Sequence, residues 1–158
     1  MTFDKAFDQL MRFEGSYSDH AADKGGPTKY GITISVARGN GYQGDMRDLP
    51  IQMAKDIYHT AYWAPMRCDA LPDSIRYDVF DAAVNSGVGR ATQWLQMAVG
   101  AGVDGVIGPK TLDAAANCKN VKGKFNGLRL SFMTGLGNWD VFSRGWARRV
   151  ADVMAMEA

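Results

Sequence analysis

Phe3, Phe7, Leu10 and Met11 recur at three- and four-residue intervals ahead of Gly15, a favourable stop residue. That spacing predicts an amphipathic helix over roughly 3–14 with Glu14 as its last residue. The period then changes. Gly25, Gly26 and Pro27 punctuate a turn, and Tyr30, Ile32 and Ile34 alternate, which predicts a small β-hairpin. Ser35 is placed to cap a short helix ending near Gly39, and Pro50 to open a helix carrying Ile51, Ala54, Ile57, Tyr58, Ala61 and Tyr62 on one side until Pro65. Further helical patterns follow from Pro72 to the break at Ser86 and Gly87, over 88–99, from Pro109 onward, and over about 121–134 and 143–156. The expected fold is mainly α, with one small β-hairpin.

The 158 residues suffice for one good core, and the hydrophobic share of 46% with 22% charged residues sits near globular averages. No apolar run reaches the roughly 18 residues that span a bilayer, and the N-terminus lacks a secretory layout, so cytoplasmic synthesis without stable membrane insertion is expected. A net charge of +1 gives no general reason to expect nucleic-acid binding. Charge is uneven, however: residues 119–158 hold seven Lys or Arg against three acids, a mildly basic C-terminal part. Cys68 and Cys118 have no CxxC partner and read as reduced, packed thiols. With only His20 and His59 besides, no metal site or cofactor is expected.

Among seventeen acidic residues only Glu14 and Glu157 are glutamates, and Glu157 lies at the fraying chain end. The steps Phe3, Phe7, Leu10, Glu14 place the carboxyl on the apolar stripe of its helix. Burial and the negative helix end both favour the neutral acid, the form that general-acid catalysis requires. The glycine-rich turn that follows returns Asp23 and Thr28. Glu, Asp and Thr can divide the labour of an inverting glycosidase: one acid protonates the leaving oxygen while carboxylate and hydroxyl hold a water across a gap of roughly 6.5–9.5 Å. Read individually, Glu14 can instead end a helix and pair with Arg12, Lys24 or Lys29, Asp23 can cap a turn, and Thr28 can be an ordinary strand residue. Asp78 and Asp81, with no glutamate nearby, read as solvent-facing or capping.

The segment "FDQLMRFEGSYSDHAADKGGPTKYGIT", with "YW" at Tyr62 and Trp63 and "FDAAVNSG" at Phe80 to Gly87, resembles the N-acetylmuramidases of glycoside hydrolase family 108, of phage-endolysin and secretion-activator type. Serine at position 16 replaces the second glycine of the family's Glu-Gly-Gly-Tyr motif. "TQWLQMAVGAGVDGVIGPKTLDAA", Thr92 to Ala115, resembles the peptidoglycan-binding region joined to these enzymes, and "RGWARRV" their terminal helix. The resemblance implies a lysozyme-like fold, with a catalytic lobe over 1–87 and a helical, peptidoglycan-binding-like lobe over 88–158 packed on it. It implies hydrolysis of the β-1,4 bond between N-acetylmuramic acid and N-acetylglucosamine in peptidoglycan, with Glu14 at the catalytic glutamate. Asp23 and Thr28 also resemble the Glu-Asp-Thr triad of phage T4-type lysozymes, although the Asp-to-Thr gap is one residue shorter.

Sugars present apolar CH faces and a polar rim, so aromatic faces with amide or hydroxyl donors suit them. Tyr17, Tyr30, Trp63 and Asn85 lie in the matched motifs and can line a cleft. Trp63 can equally be core packing, Asn85 a C-cap, and Trp94, Trp139 and Trp146 core or interlobe contacts. The expected protein is a monomeric muramidase without cofactor, acting on peptidoglycan in the periplasm after release from the cytoplasm, through a holin-like pore as the resemblance suggests. A lytic transglycosylase and a non-catalytic wall-binding module are the alternatives.

Overall fold

The computed structural model describes residues 1–14, 17–18 and 26–156. Among these it is mainly helical, with one three-stranded antiparallel sheet and two compact units, Thr2–Ala61 and Tyr62–Ala158, Met1 belonging with the latter. The motifs suggest a division at 87/88, whereas the compact units divide at 61/62: the helix before Gly87 packs against the helices that follow it.

In the first unit, α1 (Phe3–Leu10) is capped by Thr2, whose hydroxyl accepts from the Lys5 N–H, and buries Ala6, Phe7 and Leu10. It is four residues shorter than the periodicity predicts. The chain leaves it through a turn in which the Phe13 and Glu14 N–H groups both donate to the Leu10 carbonyl, at 2.9 and 3.3 Å. β1 (Tyr17–Ser18), β2 (Thr28–Lys29) and β3 (Ile32–Thr33) pair in that order, Ser18 opposite Thr28 and Thr28 opposite Thr33. A hairpin is present as β2–β3, extended to a sheet by β1, but it turns at Tyr30–Gly31, where the alternation predicts strand, and Ile34 already belongs to the helix that follows. The two turn residues, Tyr30 and Gly31, have φ of +54° and +73°. Positive φ at both central positions matches the right-handed twist of the flanking strands.

α2 (Ile34–Gly39) follows at once and is capped by Thr33 rather than Ser35, the Thr33 hydroxyl accepting from Val36 N–H. A 3₁₀ turn, Met46–Asp48, is capped by Asp45 and leads into α3 (Ile51–Tyr58), which continues as a π-turn, His59–Trp63. α3 packs against α1, where an Asp4–Lys55 ion pair at 2.6 Å spans 51 residues of sequence.

The second unit is built on α4 (Asp73–Ser86), α5 (Val88–Val99), α6 (Pro109–Asn117), α7 (Val121–Thr134) and α8 (Trp139–Ala155). Pro109 opens α6 as its spacing predicts, and α8 starts four residues earlier than expected. α4 is buried on nearly every side, and α5, α7 and α8 all pack on it. Asp78 and Asp81 are therefore interior, a correction of the solvent-facing reading. Asp81 is fully buried and joins three helices: Arg129 of α7 meets its Oδ2 at 2.7 Å and Arg149 of α8 its Oδ1 at 2.9 Å. Asp78 accepts from Asn126 Nδ2 at 2.5 Å, with Lys122 Nζ at 3.7 Å. An uncompensated buried charge is costly, which is why these carboxylates come with guanidinium, ammonium or amide partners.

The polar residues of the 92–115 segment face one another. Gln96, fully buried, donates to Asp104 Oδ1 at 2.6 Å and to the Val106 carbonyl at 3.0 Å, and accepts from Gly105 N–H at 3.0 Å. The glycine-rich loop between α5 and α6 is thus pinned by one amide side chain. Both cysteines are free thiols, as expected, and burial pushes the Cys68 thiol up.

Candidate active site

Glu14 leaves the α1 turn half-buried, and its carboxyl lies over the turn of the hairpin. Gly31 makes this approach possible. A Cβ at that position would lie 3.0 Å from Glu14 Oε2 and 2.4 Å from the Tyr58 hydroxyl oxygen, inside ordinary contact distance. The Tyr58 hydroxyl in turn donates to the Tyr30 carbonyl at 3.0 Å, tying the turn to the end of α3. Tyr58 is nearly fully buried, and its ring stands edge-on to Phe7 of α1 at 5.6 Å. One tyrosine therefore touches both the helix that delivers Glu14 and the turn that receives it.

Thr28, on β2, is half-buried, and its hydroxyl donates to the Gly26 carbonyl at 3.1 Å. Tyr30 carries Lys29 Nζ over its ring at 5.1 Å, and that ammonium also donates to the Arg47 carbonyl. Tyr17, opposite Lys29 on β1, is 37% exposed and lines a pocket of about 250 Å³ with Pro27, Ile34, Arg38, Asp45, Met46 and Arg47. Inside it, Asp45 receives the Arg47 backbone N–H at 2.8 Å and its guanidinium at 3.0 and 3.2 Å, and these bonds hold the Asp45 carboxyl below its usual range. Asp23 lies outside the described residues.

The two remaining sugar-contact candidates belong to the second unit. Trp63 is fully buried, edge-on to Phe80 at 5.3 Å, so it stands in the core and presents no face at a surface. Asn85 is exposed, and its Oδ1 accepts from Arg129 Nη2 and Ser86 Oγ, each at 3.4 Å. It lines a pocket of about 230 Å³ with Ser86, Arg90, Phe132 and Trp146. Trp94 is core, against Phe125 and Phe132; Trp139 and Trp146 are half-buried and cluster with the 50%-exposed Phe142.

Tyr58 and Gly31 escape sequence reading as site residues. Gly31 carries a local signal, the two-residue "YG" between alternating strands. Tyr58 carries none, since it looks like any apolar-face residue of α3 until the fold brings its hydroxyl across 28 residues of sequence.

The mainly helical scaffold with its small three-stranded sheet is lysozyme-like, and comparison with known proteins defines its class as glycoside hydrolase. Residues 7–87 match the Glycosyl hydrolase 108 family, and the chain belongs to it. The solved structure of SagA from Brucella abortus is similar over nearly the whole chain: 35% identity, a TM-score of 0.84, and coverage of 97% of this chain and 91% of that one. No curated protein sequence matches it.

Proposed function

We propose that the protein is an N-acetylmuramidase that hydrolyses the β-1,4 bond between N-acetylmuramic acid and N-acetylglucosamine in peptidoglycan. Membership of glycosyl hydrolase family 108 supports peptidoglycan as the substrate. The observation that carries the assignment of roles is the seat of Glu14, a half-buried carboxyl held against the bare Cα of Gly31 rather than free on a surface.

In this reading Glu14 is the general acid. It gives its proton to the glycosidic oxygen as the bond to the anomeric carbon lengthens, while Asp23 and Thr28 hold a water on the opposite face of the ring. The water attacks the anomeric carbon, its proton passes to the carboxylate, and the oxocarbenium character of the transition state is discharged. Thr28 keeps oxygen lone pairs for such a water, because its bond to Gly26 uses the hydroxyl hydrogen. Tyr17 and Tyr30 supply aromatic faces beside the sheet. The second unit is proposed as a wall-binding region, and the protein as a monomer made in the cytoplasm, released through a holin-like pore, and acting on the wall in the periplasm during phage lysis.

Glu14→Gln tests the assignment. Turbidity of outer-membrane-permeabilised Gram-negative cells should fall with native protein and hold steady with the variant, at unchanged thermal stability. Retained lysis by the variant refutes the role of Glu14. Native protein that pellets with the wall while turbidity stays flat refutes the enzyme and leaves a binding module. Mass spectrometry of the digest separates hydrolysis from transglycosylation, since 1,6-anhydro ends would show that the sugar's own hydroxyl, not water, closes the reaction.

A further inference from the structure

We infer that the Tyr30–Gly31 turn, latched to α3 by Tyr58, is a positioning device for the Glu14 carboxyl, with Gly31 and Tyr58 as positioning residues for the reaction. The inference rests on Glu14 being the general acid. Three observations meet at this point. The turn takes positive φ at two successive residues, one of them the non-glycine Tyr30 at +54°, a conformation that the surroundings must hold in place. The Tyr58 hydroxyl does so by donating to the Tyr30 carbonyl at 3.0 Å, from a ring clamped edge-on to Phe7. Where a side chain would begin at residue 31, the Tyr58 hydroxyl and the Glu14 carboxyl fill the space instead, 2.4 and 3.0 Å from the ideal Cβ position.

General-acid catalysis needs the donor oxygen within hydrogen-bond reach of the leaving oxygen, and small misplacements are costly in rate. A carboxyl at the end of a frayed turn would sample several rotamers. Here the sheet supplies a wall with no side chain on it, and Tyr58 sets how far that wall stands from α1. The device acts on the chemical step, so it should move kcat and leave substrate binding alone.

Kinetics on soluble, uncrosslinked peptidoglycan strands with Tyr58→Phe, Gly31→Ala, the double variant and Glu14→Gln, together with thermal unfolding of each, tests the inference. Tyr58→Phe keeps the ring on Phe7 and removes the hydroxyl that makes the latch; kcat should fall about tenfold, with KM within about twofold of native. Gly31→Ala should lower both kcat and the melting temperature. In the double variant the oxygen nearest the new Cβ is gone, so part of the lost melting temperature returns. Its kcat stays low, because the Cβ still meets Glu14. Recovery of kcat together with melting temperature would show a purely structural role and overturn the inference, as would native kcat in Tyr58→Phe while Glu14→Gln is inactive. Should Gly31→Ala fail to fold, Tyr58→Phe decides alone. A fully active Glu14→Gln removes the general-acid reading itself, and the inference with it.

Discussion

At the residue scale, side chains of one type divide by what covers them. Trp63 and Tyr17 both lie in motifs that suit sugar contact, yet Trp63 is sealed against Phe80 and Tyr17 stands partly in solvent. The sequence puts both in reach of the same role because spacing reports which way a side chain points and says nothing of what lies beyond it. Substitution separates them. Trp63→Ala should destabilise the protein by about 3–5 kcal/mol in urea titration, as removal of a buried aromatic does. Tyr17→Ala should cost less than about 1 kcal/mol, because its ring is partly exposed, and should slow turnover of wall substrate. Glu14 is the complementary case. The stripe of Phe3, Phe7 and Leu10 predicts it as the last residue of the helix, whereas α1 ends at Leu10 and only the fold sets its carboxyl against Gly31.

At the element scale, helices are joined through buried polar residues whose spacing gives little warning. α4 carries Asp78 and Asp81 among Val79, Phe80 and Ala82, and a charge in such a run reads as the solvent side of an amphipathic helix. In the fold α4 has almost no solvent side, and Asp81 draws Arg129 and Arg149 from two other helices. Asp81→Asn would leave a fully buried guanidinium without its counter-charge, and equilibrium unfolding should register a loss of about 3–5 kcal/mol. The loop between α5 and α6 depends on Gln96 in the same way. Gln96→Leu removes the acceptor of the Gly105 N–H and the donor to Asp104 and Val106. Faster hydrogen exchange at Gly105, with a stability loss of about 1–3 kcal/mol, is the expected result.

At the scale of the whole molecule, the buried acid Asp78 links stability to pH. Burial pushes its pKa up to about 6, against the opposing Asn126 hydrogen bond and the Lys122 charge, while the Asp81 charge adds to the rise. An unfolded aspartate titrates near about 3.9, so between about pH 4 and 6 the native state binds the proton that the unfolded state has released. This contribution to stability is fully present below about pH 4 and is lost as pH rises through 6. Asp78→Asn should abolish it: the difference in unfolding free energy between native and variant should change across that window and stay flat above it. Constant difference from pH 4 to 7 would show that Asp78 is not the linked group.

The mainly helical fold, its helix boundaries from Pro72 to Thr134, the hairpin and the family motif around Glu14 were written in the order of the residues, because apolar period, proline and glycine act over a single turn. The cap at Thr33, the third strand, the burial of α4 and the grip of Tyr58 on the Tyr30–Gly31 turn were decided only by tertiary structure. Each depends on a neighbour distant along the chain, and a local pattern cannot specify which neighbour the folded chain will bring.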